Sequence, residues 1–181
     1  MLTEFLRDQT FAIAWLAFMA AGWFGYSQED PKPKLRGWLG AGSVLGFLLA
    51  IAFGILTFRN WNTASALDGQ YWVFGVVVVA EVVVIGAGCW WLAHRKAARW
   101  YGWWVGSCVA LHFLPLAWVF GDWSYVALTV VQVVGLLWML PTLRRGDYPT
   151  SRWAAPWVAL TFLIYAAISA VIALAKYGYP Y

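Results

Sequence analysis

Residues 71–93 read YWVFGVVVVAEVVVIGAGCWWLA, with a single formal charge at Glu81. About 20 apolar residues in a helix cross the hydrocarbon of a bilayer. In water the valine runs would favour a strand. A transmembrane barrel strand alternates in polarity over segments of about ten residues, and VVVVA at 76–80 and VVVI at 82–85 show no alternation. A helix satisfies its own backbone groups, which lipid requires. The stretch is therefore a membrane-spanning helix.

Five further stretches have the same character, at 10–26, 37–58, 100–120, 123–140 and 153–175. The chain reads as an all-α integral membrane protein, a single bundle over 1–181 with six transmembrane helices in three hairpins. Only Gly121 and Asp122 separate the fourth and fifth spans, so these two are antiparallel neighbours. Composition agrees: 63% of the 181 residues are hydrophobic and 11% charged, against about 45–50% and about 25% in soluble domains. This excludes intrinsic disorder. Two Cys exclude a disulfide-stapled module. A net charge of +4, from twelve Lys and Arg in short clusters, argues against a nucleic-acid partner. Glu4, Arg7 and Asp8 leave no basic leader region, so residues 10–26 read as a span and not a cleaved signal peptide.

Nine of the twelve basic residues fall in three loops: Lys32, Lys34 and Arg36; Arg95, Lys96 and Arg99; Arg144, Arg145 and Arg152. In a six-span chain these loops share one side, and the positive-inside rule makes that side cytoplasmic. Both termini then face outward, as expected for a bacterial inner-membrane protein. The clusters read first as orientation signals that touch anionic lipid headgroups, and second as a site for a phosphorylated ligand. Most of the 15 Trp sit at span ends, where an indole is half wet. Trp15, Trp118 and Trp138 lie deeper; they are candidates to line a pocket, with packing against lipid the stronger reading.

Each returning helix begins near a Trp (Trp38, Trp103, Trp153), and nine residues on come Phe47, His112 and Phe162. This hints at a threefold hairpin repeat. Gly42 with Gly46, and Gly102 with Gly106, have the spacing of close helix contacts. They serve the bundle or a homo-oligomer, and spacing does not choose between the two.

The few polar groups inside the spans fall near one depth. At about 1.5 Å per residue, Glu81 and Tyr165 lie about 15 Å from the outer ends, Gln132 about 13 Å and His112 about 12 Å. A charged residue there costs at least about 2.5–3.5 kcal/mol, so it faces the bundle interior or a wet cavity, and function is the default reading. Glu81 and His112 in contact would share one proton. The competing reading is a structural hydrogen bond that fixes helix register. For Gln132 and Tyr165 local satisfaction is the stronger reading. Pro115 frees the carbonyl of Leu111 beside His112 and is expected to bend the helix.

No cofactor is expected. His94 lies at the opposite end from His112, which disfavours two axial haem ligands, and Glu81 with His112 is too few ligands for zinc. Cys89 and Cys108 lack redox spacing and read as packing residues. No phosphate loop or nucleophile elbow is present, and no catalytic residue is assigned beyond a possible acid role for Glu81.

The stretch from Glu81 through the basic turn to His112-Phe113-Leu114-Pro115-Leu116-Ala117 resembles small, uncharacterised bacterial six-helix membrane proteins with an HFLPLA-type motif. Asp30-Pro31-Lys32 and Gly121-Asp122-Trp123 are similar to segments of the proton-gated urea and amide channels, six-helix proteins with outward termini. That second resemblance implies a narrow aromatic-lined pore in each subunit of an oligomer. No site residue is carried over from either.

The leading expectation is a small channel or transporter for a small polar or amphipathic solute, with Glu81 and His112 as a proton-sensitive centre. The alternative is a membrane enzyme acting on a lipid-soluble, isoprenoid or quinone-like substrate, with Glu81 as general acid. The third is an accessory or sensor subunit. Membrane lipid is a partner in all three.

Overall fold

The computed structural model describes residues 5–178 and is all-helical over them. Six helices run in order: α1 (Leu6–Tyr26), α2 (Arg36–Arg59), α3 (Tyr71–His94), α4 (Tyr101–Val119), α5 (Ser124–Arg145) and α6 (Ser151–Tyr177). Short 3-10 turns, Pro33–Leu35 and Ala98–Trp100, lead into α2 and α4. α2 to α6 are long and apolar enough to cross a membrane. α1 is not among them, because its first turn carries Arg7, Asp8 and Gln9.

The buried side of α6 is rich in alanine, and its exposed side carries branched aliphatic residues. α6 turns Ala154, Ala155, Ala159, Ala166 and Ala170 inward, while Ile164, Ile168 and Val171 are exposed. This suits helices that gain by close backbone approach and not by hiding bulk from water. α1 lies against α2 and α6, α4 against α5 and α6, and α5 against α6. α3 packs chiefly on α4, and only Leu92 of its residues is buried.

The glycine pairs work inside the bundle. A Cβ on Gly46 would sit 2.7 Å from the carbonyl oxygen of Ala17, and one on Gly42 would meet the ring of Phe24. Gly102 lies against the backbone of Ser151 and Gly106 against Val158. All four glycines thus face neighbours within the chain. The three repeat positions are not equivalent: Phe47 is exposed, His112 half-buried and Phe162 fully buried.

The three basic loops meet at one end. Ser151 donates its hydroxyl to Glu29 (2.5 Å), and Arg152 pairs with Asp30. Thr150 donates through its amide and hydroxyl to the carbonyl of Arg99, at 2.7 and 2.8 Å. At the other end Arg7 straps the α2–α3 loop to α1. Its guanidinium donates to the carbonyl of Trp61 (2.7 Å) and reaches Asp68 (3.3 Å) and the Tyr71 hydroxyl (2.7 Å).

The turn between α4 and α5 is fixed by its own chemistry. Gly121 takes φ +62°, where a side chain would be strained, and the amide of Asp122 donates to the carbonyl of Ala117 at 2.9 Å. The Asp122 carboxylate then accepts from the Ser124 amide at 3.0 Å and starts α5.

Candidate functional site

Below the Arg7–Tyr71 link no extensive packing joins α1 to α3. The space between them is a hollow of about 270 Å³, backed by α4 and by Tyr125 of α5. Phe11, Trp15 and Leu16 form one wall, Phe74 and Val78 the other. Phe113, Leu116 and Phe120 form the back. The polar lining comes from Asp8 next to the Arg7 link, the Glu81–His112 pair farther along, and Tyr125.

Glu81 Oε1 lies 3.3 Å from His112 Nδ1. The same nitrogen lies 2.6 Å from the carbonyl oxygen of Val109. A carbonyl only accepts, so Nδ1 carries a proton and donates it to Val109, three residues back on α4. Glu81 Oε1 stands beside that nitrogen without taking its hydrogen bond. Among the described residues the carboxylate has no other hydrogen-bonding partner, and none is recorded for His112 Nε2. The pair therefore holds unused hydrogen-bonding capacity, an acceptor on Glu81 and a ring nitrogen on His112.

The pair also borders a second space. On the outer flank of α3 and α4 a groove of about 420 Å³ is lined by Glu81, His112, Ser107, Cys108, Leu111 and Pro115. Glu81 and His112 thus form a wall common to hollow and groove. Toward the basic end the seam between α3 and α4 is filled by Trp104. Its indole lies in the notch left by Gly88 and donates to the carbonyl of Ile85 at 3.3 Å.

The other polar groups at this depth lie elsewhere. Gln132 is fully buried between α5 and α6, and its amide donates to the Thr161 hydroxyl at 2.9 Å. The Tyr165 hydroxyl meets Ser124 at 2.6 Å, and its ring stacks on Tyr125. The expected single polar layer thus resolves into separate local pairs, because equal depth does not mean a common facing. Trp15 lines the hollow, but Trp118 and Trp138 are 69% and 82% exposed on the outer surface, and neither borders it. Pro115 borders the lateral groove within an unbroken α4.

Asp8 is a charged lining residue that the sequence did not single out as part of a site. It is 6% exposed, and it accepts from the Ser65 hydroxyl (2.7 Å) and the Ala66 amide (2.6 Å), with Arg7 3.8 Å away. A charge near a chain end reads as a loop residue. Only the four earlier residues of α1 bring it to the mouth of the hollow.

Cys89 and Cys108 are free thiols, and no group of three or more metal-ligating side chains occurs among the described residues. No family model, curated protein or solved structure matches the chain.

Proposed function

We propose that this chain is a six-span membrane protein that binds a lipid-soluble molecule carrying one polar group, with Glu81 and His112 as the proton-exchanging contact for that group. In this reading α1 is the sixth span, held in the bundle by α2 and α6. Both termini and the Arg7 strap face outward, the three basic loops face the cytoplasm, and the membrane is the bacterial inner membrane. The observation that carries the reading is the aromatic-walled hollow with the Glu81–His112 pair in its wall. Pockets for small amphiphiles have this character, apolar with a few placed polar groups. A proton-exchanging centre serves both proton-linked export of the bound molecule and acid–base chemistry on it.

The test is photolabelling with a neutral diazirine-bearing alkyl alcohol. Crosslinks are expected at Phe11, Trp15, Phe74 and Phe113, and they should fall sharply in Ala12→Phe, which fills the hollow from α1. Crosslinks spread evenly over the lipid-facing helices, unchanged in that variant, would refute the reading.

A second reading is proton-coupled passage of a small polar solute. It is favoured by one observation, the position of the pair between hollow and groove. Flux into proteoliposomes should then collapse in Glu81→Gln. Flux equal to wild type would exclude it.

A further inference from the structure

The lining of the hollow has a charge and ring pattern that narrows the ligand class. Six aromatic side chains face it: Phe11, Trp15, Phe74, Phe113, Phe120 and Tyr125. Two carboxylates, Asp8 and Glu81, border it, and no Lys or Arg does. Aromatic faces carry negative quadrupole density and attract a cation within about 6 Å of the ring centroid, more strongly where water is excluded. They give an anion no such attraction.

The two carboxylates are not equal. Asp8 is already balanced by Arg7 and by two hydrogen bonds. Glu81 has only the His112 nitrogen 3.3 Å away, and that nitrogen's hydrogen bond goes to Val109. Its charge is thus the one left for a guest. A quaternary or protonated amine seated among the rings would face Glu81 and displace no existing ion pair.

We propose that the hollow selects lipophilic organic cations, small amines or quaternary ammonium compounds with an aromatic or branched alkyl body, over neutral and anionic molecules of the same shape. This rests on the ligand-binding reading above and adds to it the charge of the guest. The basic end of the molecule plays no part, since Trp104 separates it from the pair. His112 sits beside the guest as the positioning partner of Glu81.

A matched triad tests this: benzyltrimethylammonium, its neutral isostere neopentylbenzene, and benzylsulfonate. Each is titrated against the full chain in nanodiscs, with empty nanodiscs subtracted, and saturable binding is read by calorimetry and by the rise in unfolding temperature. The cation is expected to bind at least tenfold more tightly than the isostere, and the anion not at all. In Glu81→Gln the cation should lose that advantage while the isostere binds as before. Glu81→Asp, which keeps the charge, should restore part of it and guards against a folding defect in the first variant. Equal binding of cation and isostere to wild type would overturn the proposal and leave the lipid-soluble-ligand reading standing. Saturable binding by none of the three would overturn both.

Discussion

The indole nitrogen of Trp104 lies 3.3 Å from the carbonyl oxygen of Ile85, one helical turn from Glu81 toward the basic end. That contact is possible because position 88 is glycine: a Cβ there would overlap the indole ring. α3 has little else to hold it, since it packs chiefly on α4 and only Leu92 of its residues is buried. Gly88→Ala should therefore drive the indole from its notch. Overpacking of this kind costs about 1–3 kcal/mol. The expected result is a lower unfolding temperature in detergent. Combining it with Trp104→Leu, which removes the clashing ring, should give a loss smaller than the sum of the two single losses. Strict additivity would show that the notch is not what seats Trp104.

Glycines elsewhere separate close contact from mere helix weakness. A Cβ at Gly46 would meet backbone atoms of α1, Ala17 O at 2.7 Å and Ala21 N at 3.0 Å, and backbone cannot swing aside. At Gly54, on the same helix, nothing lies within 4 Å. Gly46→Ala should destabilise the α1–α2 contact by about 1–3 kcal/mol. Gly54→Ala should be neutral or stabilising by up to about 1 kcal/mol through helix propensity. Thermal unfolding of the two variants side by side decides the matter; equal effects would contradict the packing described.

Much of this architecture is legible in the residues. The spans at 37–58 and 71–93 agree with α2 and α3 to within a residue at each end, because long apolar runs have few alternatives. Boundaries slip where polarity misleads. α1 begins at Leu6 and not at residue 10, since Arg7 and Asp8 are satisfied by a loop more than fifty residues away. α5 continues past Pro141 to Arg145, because a proline removes one ladder bond and leaves the rest of the helix intact. Facing is what sequence withholds. Apolar residues run all round α3 and α4, so no stripe marks an inner side. Glu81 and His112 stand out because lipid tolerates neither. Gln132 and Tyr165 stand out equally and serve α5, α6 and the α4–α5 turn.

The Arg7 end of the hollow depends on Asp8. Asp8→Asn keeps one acceptor and turns an amide toward the other donor, so it loses one charge-assisted bond, worth about 1.5–3 kcal/mol locally. The loop at residues 60–70 should loosen while the bundle stays folded. Hydrogen exchange is the direct readout: the amide of Ala66, now held 2.6 Å from the carboxylate, should exchange about tenfold faster or more. The amides of Thr150 and Trp103, at the opposite end, should be unchanged. Uniform acceleration across both ends would indicate global destabilisation and refute a local clamp.

Orientation is testable at the two ends separately. Three exposed positions serve as reporters: Asn62 in the α2–α3 loop, and Lys34 and Asp147 in two of the basic loops. Cys89 and Cys108 are replaced by Ser to clear the background, and each reporter is changed to Cys in turn. Lys and Arg near span ends resist translocation, and the bias is counted over short loops such as these. In intact spheroplasts a membrane-impermeant maleimide should label Asn62→Cys and leave Lys34→Cys and Asp147→Cys unmodified until the membrane is permeabilised. The reverse pattern would place the Arg7 strap in the cytoplasm, and the hollow would then take its ligand from the inner side. Labelling of all three before permeabilisation would mean that the chain does not span the membrane, and the hollow between α1 and α3 would have to be re-read as the interface of a peripheral protein.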